Sequence, residues 1–202
     1  MRRVFFTADC HFNHANIIKF CNRPFIKYKD MDEELDWVSE DIKWQRCQEM
    51  NEEIIRRWNS RVSPEDVVYH VGDFLFGHSS DILEFEGRLN GTIVHILGNH
   101  DKDNGVKSYI KYAIMTFGGL NIYVVHEPPE ENQIGTLETR IMSSVDFILC
   151  GHVHNKWKHK IIPYNTNKEI TCINVGMDVW NFEPINIQSI LKYLAKVRRG
   201  EV

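Results

Sequence analysis

Seven side chains in this sequence are of the types that hold metal ions through oxygen or nitrogen, and they follow short apolar runs. RVFFTA leads to Asp9 and His11, DVVYHVG to Asp73, TIVHILG to Asn99, LNIYVV to His126, and DFILCG to His152 and His154, with His100 directly after Asn99 outside the seven. In extended backbone, residues two apart point the same way, so Asp9 with His11, and His152 with His154, can each face one site. Glycines 72, 98 and 151 stand directly before Asp73, Asn99 and His152, where a missing side chain permits a sharp turn and a close approach of backbone. A set of Asp, Asn and His donors without an obvious thiolate favours Mn, with Fe or Zn as alternatives, over an iron–sulfur cluster or a Cys-rich zinc site. Seven donors exceed what one ion takes. Two ions about 3.5 to 4 Å apart, sharing one carboxylate, would use them all and would suit phosphoryl chemistry.

The elements that must position these residues read as short strands rich in Val, Ile, Phe and Tyr, separated by helical or turn-like segments, the pattern of a layered α/β or α+β domain. Ligands at the carboxyl ends of strands escape burial in the core where loops converge. A chain of 202 residues that is 43% hydrophobic suffices for one domain with one sizeable core. Within it, Lys29 to Val62 carries helical spacing at Leu35, Val38 and Ile42 and again at Met50, Ile54 and Trp58, so one or two amphipathic helices are expected. The near-repeat of DMDEE and EMNEE marks about 31–49 as a helical insertion. HNKWKHK, from His154 to Lys160, is read as a sheet-edge strand, and SILKYLAKVRRGEV as a closing amphipathic helix. His70 and His95 fall inside strands and are expected in the core or behind the ligands.

Charge and cysteine usage narrow the partners. A formal charge of −4 gives no global field for nucleic acid or an anionic membrane. Five cysteines without a CxxC pair suit a reducing compartment, and no stretch reaches membrane-spanning length, so the expectation is a cytoplasmic protein.

The order DxH, GD, GNHD, H, GHxH resembles that of the calcineurin-like metallophosphoesterase superfamily, and HFNHANIIKFCNRPF and NVGMDVWNFEPI are similar to its small bacterial and phage branch. The resemblance implies an α+β sandwich of two mixed β-sheets packed face to face and flanked by helices in four layers. It further implies that Asp9, His11 and His154 hold one ion, that Asn99, His126 and His152 hold the other, and that Asp73 and a hydroxide bridge them. Two dications, two carboxylates and one hydroxide sum to about +1, enough to attract a phosphate anion. His100 then becomes the acid that protonates the leaving group, and Asp101 the residue that orients its imidazole.

The implied activity is hydrolysis of a phosphate ester, with a diester favoured over a monoester or pyrophosphate because His100 can protonate a poor alkoxide leaving group. A non-catalytic metal-binding scaffold and a single-strand nuclease are the rivals. The expected partner is a small phosphorylated or nucleotide substrate; long nucleic acid and membrane are not expected. His14 and Asn16, at the start of a short helix, are candidates to face substrate oxygens, with capping of that helix by Asn13 as the alternative. Arg23 is read as a phosphate clamp, with a structural turn residue beside Pro24 as the alternative.

Overall fold

In a computed structural model the described residues are 2–24, 39–129, 143–165 and 168–202. Strands β1 (Val4–Thr7), β2 (Val67–Val71) and β3 (Thr92–Ile96) run parallel, and β9 (Ile185–Asn186) joins β1 antiparallel, giving the order β3-β2-β1-β9. The second sheet holds β4 (Tyr112–Phe117), β5 (Leu120–Val125), β6 (Phe147–Cys150), β7 (His159–Asn165) and β8 (Lys168–Asn174) in the order β4-β5-β6-β8-β7. Its three inner strands are parallel and its two edge strands antiparallel. The helices are α1 (Ala15–Phe20), α2 (Glu40–Arg61), α3 (Ser79–Arg88) and α4 (Ile187–Arg198).

Successive side chains of a strand point to opposite faces, and here both faces are covered. Phe6, Val71 and Ile96 of the first sheet meet Ile122, Val124, Phe147 and Leu149 of the second in an inter-sheet core that also takes Ile190 and Leu194 of α4. Phe5 and Val68, on the opposite face, pack with Ile17 of α1, Met50, Ile54 and Trp58 of α2, and Ile82 and Phe85 of α3. Behind the second sheet lies a smaller cluster of Tyr123, Ile148, Ile162 and Cys172. Two mixed sheets with flanking helices form the α+β arrangement expected; among the described residues, no helix contributes to the cluster behind the second sheet.

α2 shows why the region after Ser39 is one helix. The Ser39 hydroxyl accepts the Ile42 N–H, Glu40 and Asp41 lie in the first turn, and Arg61 lies in the last, all favourable for caps and dipole. Cys47, Met50, Ile54 and Trp58 recur every three to four residues and form its buried face. That stripe crosses residue 49 without a break, so the structure sets no boundary there; residues 31–38 lie outside the described residues. Trp44 is 52% exposed. The expected edge strand at His154–Lys160 is instead mostly turn: β7 starts at His159, and Lys158 places its ammonium 3.6 Å from the Trp180 ring centroid. The cysteines 10, 21, 47, 150 and 172 are all buried free thiols. No helix among the described residues is long and apolar enough to cross a membrane.

Candidate metal centre

The strand ends are stitched to one another before any ligand is considered. Asp9 N–H donates to Gly72 O and His11 N–H to Asp73 O, joining the ends of β1 and β2. Gly151 N–H donates to His126 O and Val175 N–H to Cys150 O, joining those of β5, β6 and β8. The two sets meet where Ala8 pairs with Gly176 and where the His152 N–H reaches the Asp9 carboxylate at 3.0 Å. Close approach demands glycine here. A Cβ on Gly72 would lie 2.2 Å from His126 Nδ1, and one on Gly98 would lie 2.2 Å from Asp73 Oδ1.

The chain also turns through the left-handed region at the ligand candidates themselves. Asp9, His11, Asp73, His152 and His154 have φ between 48° and 69°. Such conformations cost about 1–2 kcal/mol each for residues with a Cβ, although Asp and His tolerate them better than most. They aim side chains off the strand ends into a common space.

The result is two groups of donors. The ligand atoms of Asp9, His11 and His154 lie within 4.8 Å of one another, as do those of Asp73, His126 and His152. Asp73 Oδ2 stands 3.7 Å from His11 Nε2 in the first group and 3.3 Å from His126 Nε2 in the second. Asn99 Oδ1 completes the second group, 3.0 Å from His126 Nε2 and 3.1 Å from His152 Nδ1. Donors about 2.1 Å from one cation stand about 3.0–3.4 Å apart, so most of these separations already suit ligation. The Nδ1–H of His126 is engaged by Val71 O at 2.8 Å, which leaves Nε2 for the site.

Protonation states show how the protein balances this cluster. Burial pushes the Asp9 carboxyl up to about 6, against the pull of His126 and His154. Burial pushes His11 down to about 2 and His14 down to about 4, and it also lowers His152. For Asp73, burial favours the acid, but the His126 hydrogen bond, the charges of His126 and His11 and the His100 N–H together outweigh it and hold the carboxyl well below the usual range. Burial likewise opposes charge on His126 and His154, yet Asp73 holds the first at about 9 and Asp178 the second at about 10. The carboxylates thus favour positive charge on the facing imidazoles, in places where divalent cations would supply it.

One atom tests whether cations fit. His11 Nε2 is buried, faces this cluster and has no hydrogen-bond partner among the described residues. A neutral imidazole with an orphaned lone pair beside carboxylates suits a divalent ion, and the oxygen and nitrogen donors suit Mn, Fe or Zn.

The structure brings all seven expected ligands together, while the accessory residues divide. His100 is exposed at the rim, its ring 6.0 Å from that of His11 and its N–H on Asp73 Oδ1 at 3.0 Å. His14 stacks on Phe76 and sets its Nδ1 3.3 Å from His11 Nδ1; Asn16 lies exposed in α1 and belongs to neither group. Asn13 does not cap α1, because its side chain pairs with Asn51. Two expectations need correction. The Asp101 carboxylate does not orient His100: it is buried and accepts the N–H groups of Asp73, Phe74 and Gly98 at 2.7–2.9 Å, locking one ligand turn onto another. Arg23 is not a phosphate clamp, because its buried guanidinium is taken up by Asp178 and by the Asp9 and Cys10 carbonyls.

Asp178 is the residue that sequence reasoning missed. It lies 3.0 Å from His154 Nδ1, and with Cys21 and His154 it forms a third donor group. The signal was present: Gly176-Met177-Asp178 follows β8 as Gly72-Asp73 follows β2. His70 and His95 lie behind the ligands, bonded to Cys10 Sγ and Glu86 Oε1.

A two-sheet sandwich whose strand ends gather carboxylates and imidazoles into two adjoining groups defines a class of metal-binding phosphoesterase domains. The chain belongs to the calcineurin-like phosphoesterase superfamily, whose domain profile matches residues 50–187. It is 30% identical over 201 residues to the uncharacterized protein MJ1445 of Methanocaldococcus jannaschii, spanning 97% of this chain and 93% of that one. It is 25% identical to the Gene 66 protein of Mycobacterium phage D29, with 90% of each chain covered. The crystal structure of AQ665 from Aquifex aeolicus, a protein of unknown function, shares the fold at a TM-score of 0.63 and 24% identity, covering 96% of this chain and all of that one.

Proposed function

We propose that the protein is a metal-dependent phosphoesterase that hydrolyses a phosphate ester, a phosphodiester in preference to a monoester or pyrophosphate, at a centre of two divalent ions, Mn foremost. The carrying observation is Asp73 Oδ2, set between His11 of one donor group and His126 of the other. Asp9, His11 and His154 would hold one ion, Asn99, His126 and His152 the other, and Asp73 both. When bound, such ions polarise phosphoryl oxygens and supply hydroxide near neutral pH.

The chain's own residues do the rest. The exposed His100, whose backbone N–H donates to Asp73 Oδ1 and whose ring lies 6.0 Å from that of His11, would hand a proton to the departing alkoxide oxygen. A diester makes fuller use of that proton than an activated monoester does. Asp101 fixes the turn from which His100 projects, and His14 buttresses the His11 ring.

The test is hydrolysis of an aryl phosphodiester and an aryl phosphomonoester with Mn²⁺, by the wild type and by His100→Asn. The diester should turn over faster, and the variant should lose about 10²–10⁴-fold in kcat with its metal content unchanged. A metal-loaded wild type that cleaves neither ester would favour a binding scaffold. Faster monoester cleavage would overturn the substrate preference, and an equally active variant would remove the proton donor.

A further inference from the structure

We infer that Asp178, clamped by Arg23, is a positioning residue that sets His154 for the ion it shares with Asp9 and His11; this rests on the two-ion reading above. An imidazole ligates through one nitrogen and is oriented through the other. His154 Nδ1 lies 3.0 Å from Asp178 Oδ2, so the Nδ1–H is donated to the carboxylate and the Nε2 lone pair is left for the ion. Asp178 is itself immobilised. Arg23 Nε donates to its Oδ1 at 2.8 Å and Nη2 to its Oδ2 at 3.0 Å, the two-point fork that fixes a carboxylate in plane.

The same guanidinium reaches the first ligand strand. Arg23 Nη2 donates to Asp9 O at 2.7 Å and Nη1 to Cys10 O at 3.0 Å, so one buried cation ties the orienter of His154 to the turn that presents Asp9 and His11. Residues 9, 23, 154 and 178, far apart in sequence, thereby become one rigid frame. Stability alone explains this poorly, since a buried ion pair contributes little over a well-packed apolar pair of the same volume. A third ion at Cys21, His154 and Asp178 is the competing use of these donors. Both Asp178 oxygens already serve Arg23, and an added dication would lie against that buried charge.

The test counts ions. Metal-free wild type, Asp178→Ala, Asp178→Asn and His11→Ala are titrated with Mn²⁺ by calorimetry, with unfolding followed separately by circular dichroism. Wild type should bind two ions per chain. Asp178→Ala should weaken one of them about 10–100-fold, leaving the other with the affinity of the ion retained by His11→Ala. Asp178→Asn, which keeps an acceptor for His154 Nδ1–H, should restore part of the loss and carries the test if the alanine variant does not fold. Two ions bound with wild-type affinity, or both weakened equally, would overturn the positioning role. Three ions in wild type and two in Asp178→Ala would assign Asp178 as a ligand instead. A wild type that binds fewer than two ions would sink the two-ion reading and this inference with it.

Discussion

Gly98→Ala should disable the centre without replacing a candidate ligand. A Cβ at residue 98 would sit 2.2 Å from Asp73 Oδ1 and 2.5 Å from Asp73 N. Carbon and oxygen in ordinary contact are about 3.4 Å apart, so the carboxylate must retreat by about 1 Å. The surroundings resist that retreat. Oδ1 accepts the His100 N–H at 3.0 Å, while Asp73 N–H and Gly98 N–H both donate to Asp101 Oδ2, at 2.9 and 2.7 Å. Separating the two turns breaks hydrogen bonds to a buried carboxylate, and leaving them joined displaces the carboxylate whose Oδ2 lies between the two donor groups. Overpacking of this kind costs about 1–3 kcal/mol of stability. A misplacement of about 1 Å at a reacting centre costs about 10² in rate, or about 2.7 kcal/mol in the barrier. Mn²⁺ calorimetry, diester hydrolysis and thermal unfolding read the three consequences separately. Gly87→Ala in α3, where a Cβ meets nothing within 4 Å among the described residues, is the control and should leave all three unharmed, with stability raised by about 0.5–1 kcal/mol. Wild-type ion affinity and turnover in Gly98→Ala would show that close backbone packing does not hold Asp73.

Two further perturbations probe the scaffold. Arg3 Nε and Nη2 and the Arg3 and Ser63 N–H groups bond the Asp66 carboxylate and hold its pKa down at about 2 from 3.8, so Asp66→Asn should destabilise by about 1–3 kcal/mol at neutral pH. Because the folded carboxyl is the stronger acid, that difference should stay constant above about pH 4 and shrink as pH falls towards 2, as urea midpoints across the range would show; a difference unchanged at pH 2 would refute the assignment. Trp58→Ala removes a fully buried indole whose Nε1–H bonds Asn90 O at 2.9 Å, and should lower unfolding free energy by about 3–5 kcal/mol; a loss under about 1 kcal/mol would mean that α2 is not docked through this residue.

What was legible in the sequence was local. RVFFTA, DVVYHVG, TIVHILG, LNIYVV and DFILCG became β1, β2, β3, β5 and β6, because a β-branched and aromatic run ended by Gly, Asp or His carries its own signal. Strand-end position likewise marked all seven ligand candidates before any contact was visible. Legibility failed where a polar side chain had to choose a direction. Asp101 is adjacent to His100 in sequence, yet its carboxylate turns inward to three N–H groups while the imidazole stays out in solvent. Arg23 reads in sequence as a phosphate clamp in preference to a structural turn residue, and the partner that decides otherwise lies 155 positions away. The two-residue β9 and the pairing of β6 with β8 across the β7 hairpin depend on long-range closure and leave no periodicity to read.

Backbone strain unites these failures and successes. Five candidate ligands occupy left-handed conformations, and the Asp9 carboxyl is driven up to about 6 by its burial. Each feature by itself raises the free energy of the folded chain. A fold under selection for stability alone would place glycine or asparagine at such turns and leave the carboxylates in water. Asp and His are the residue types that both tolerate positive φ and donate to hard cations. The same choice of side chain thus satisfies the turn and the ligand set, which is why the motif could be found by spacing alone. The frame that makes the strain tolerable, Arg23 with Asp178 and Asp101 with its three N–H groups, could be found only by folding the chain.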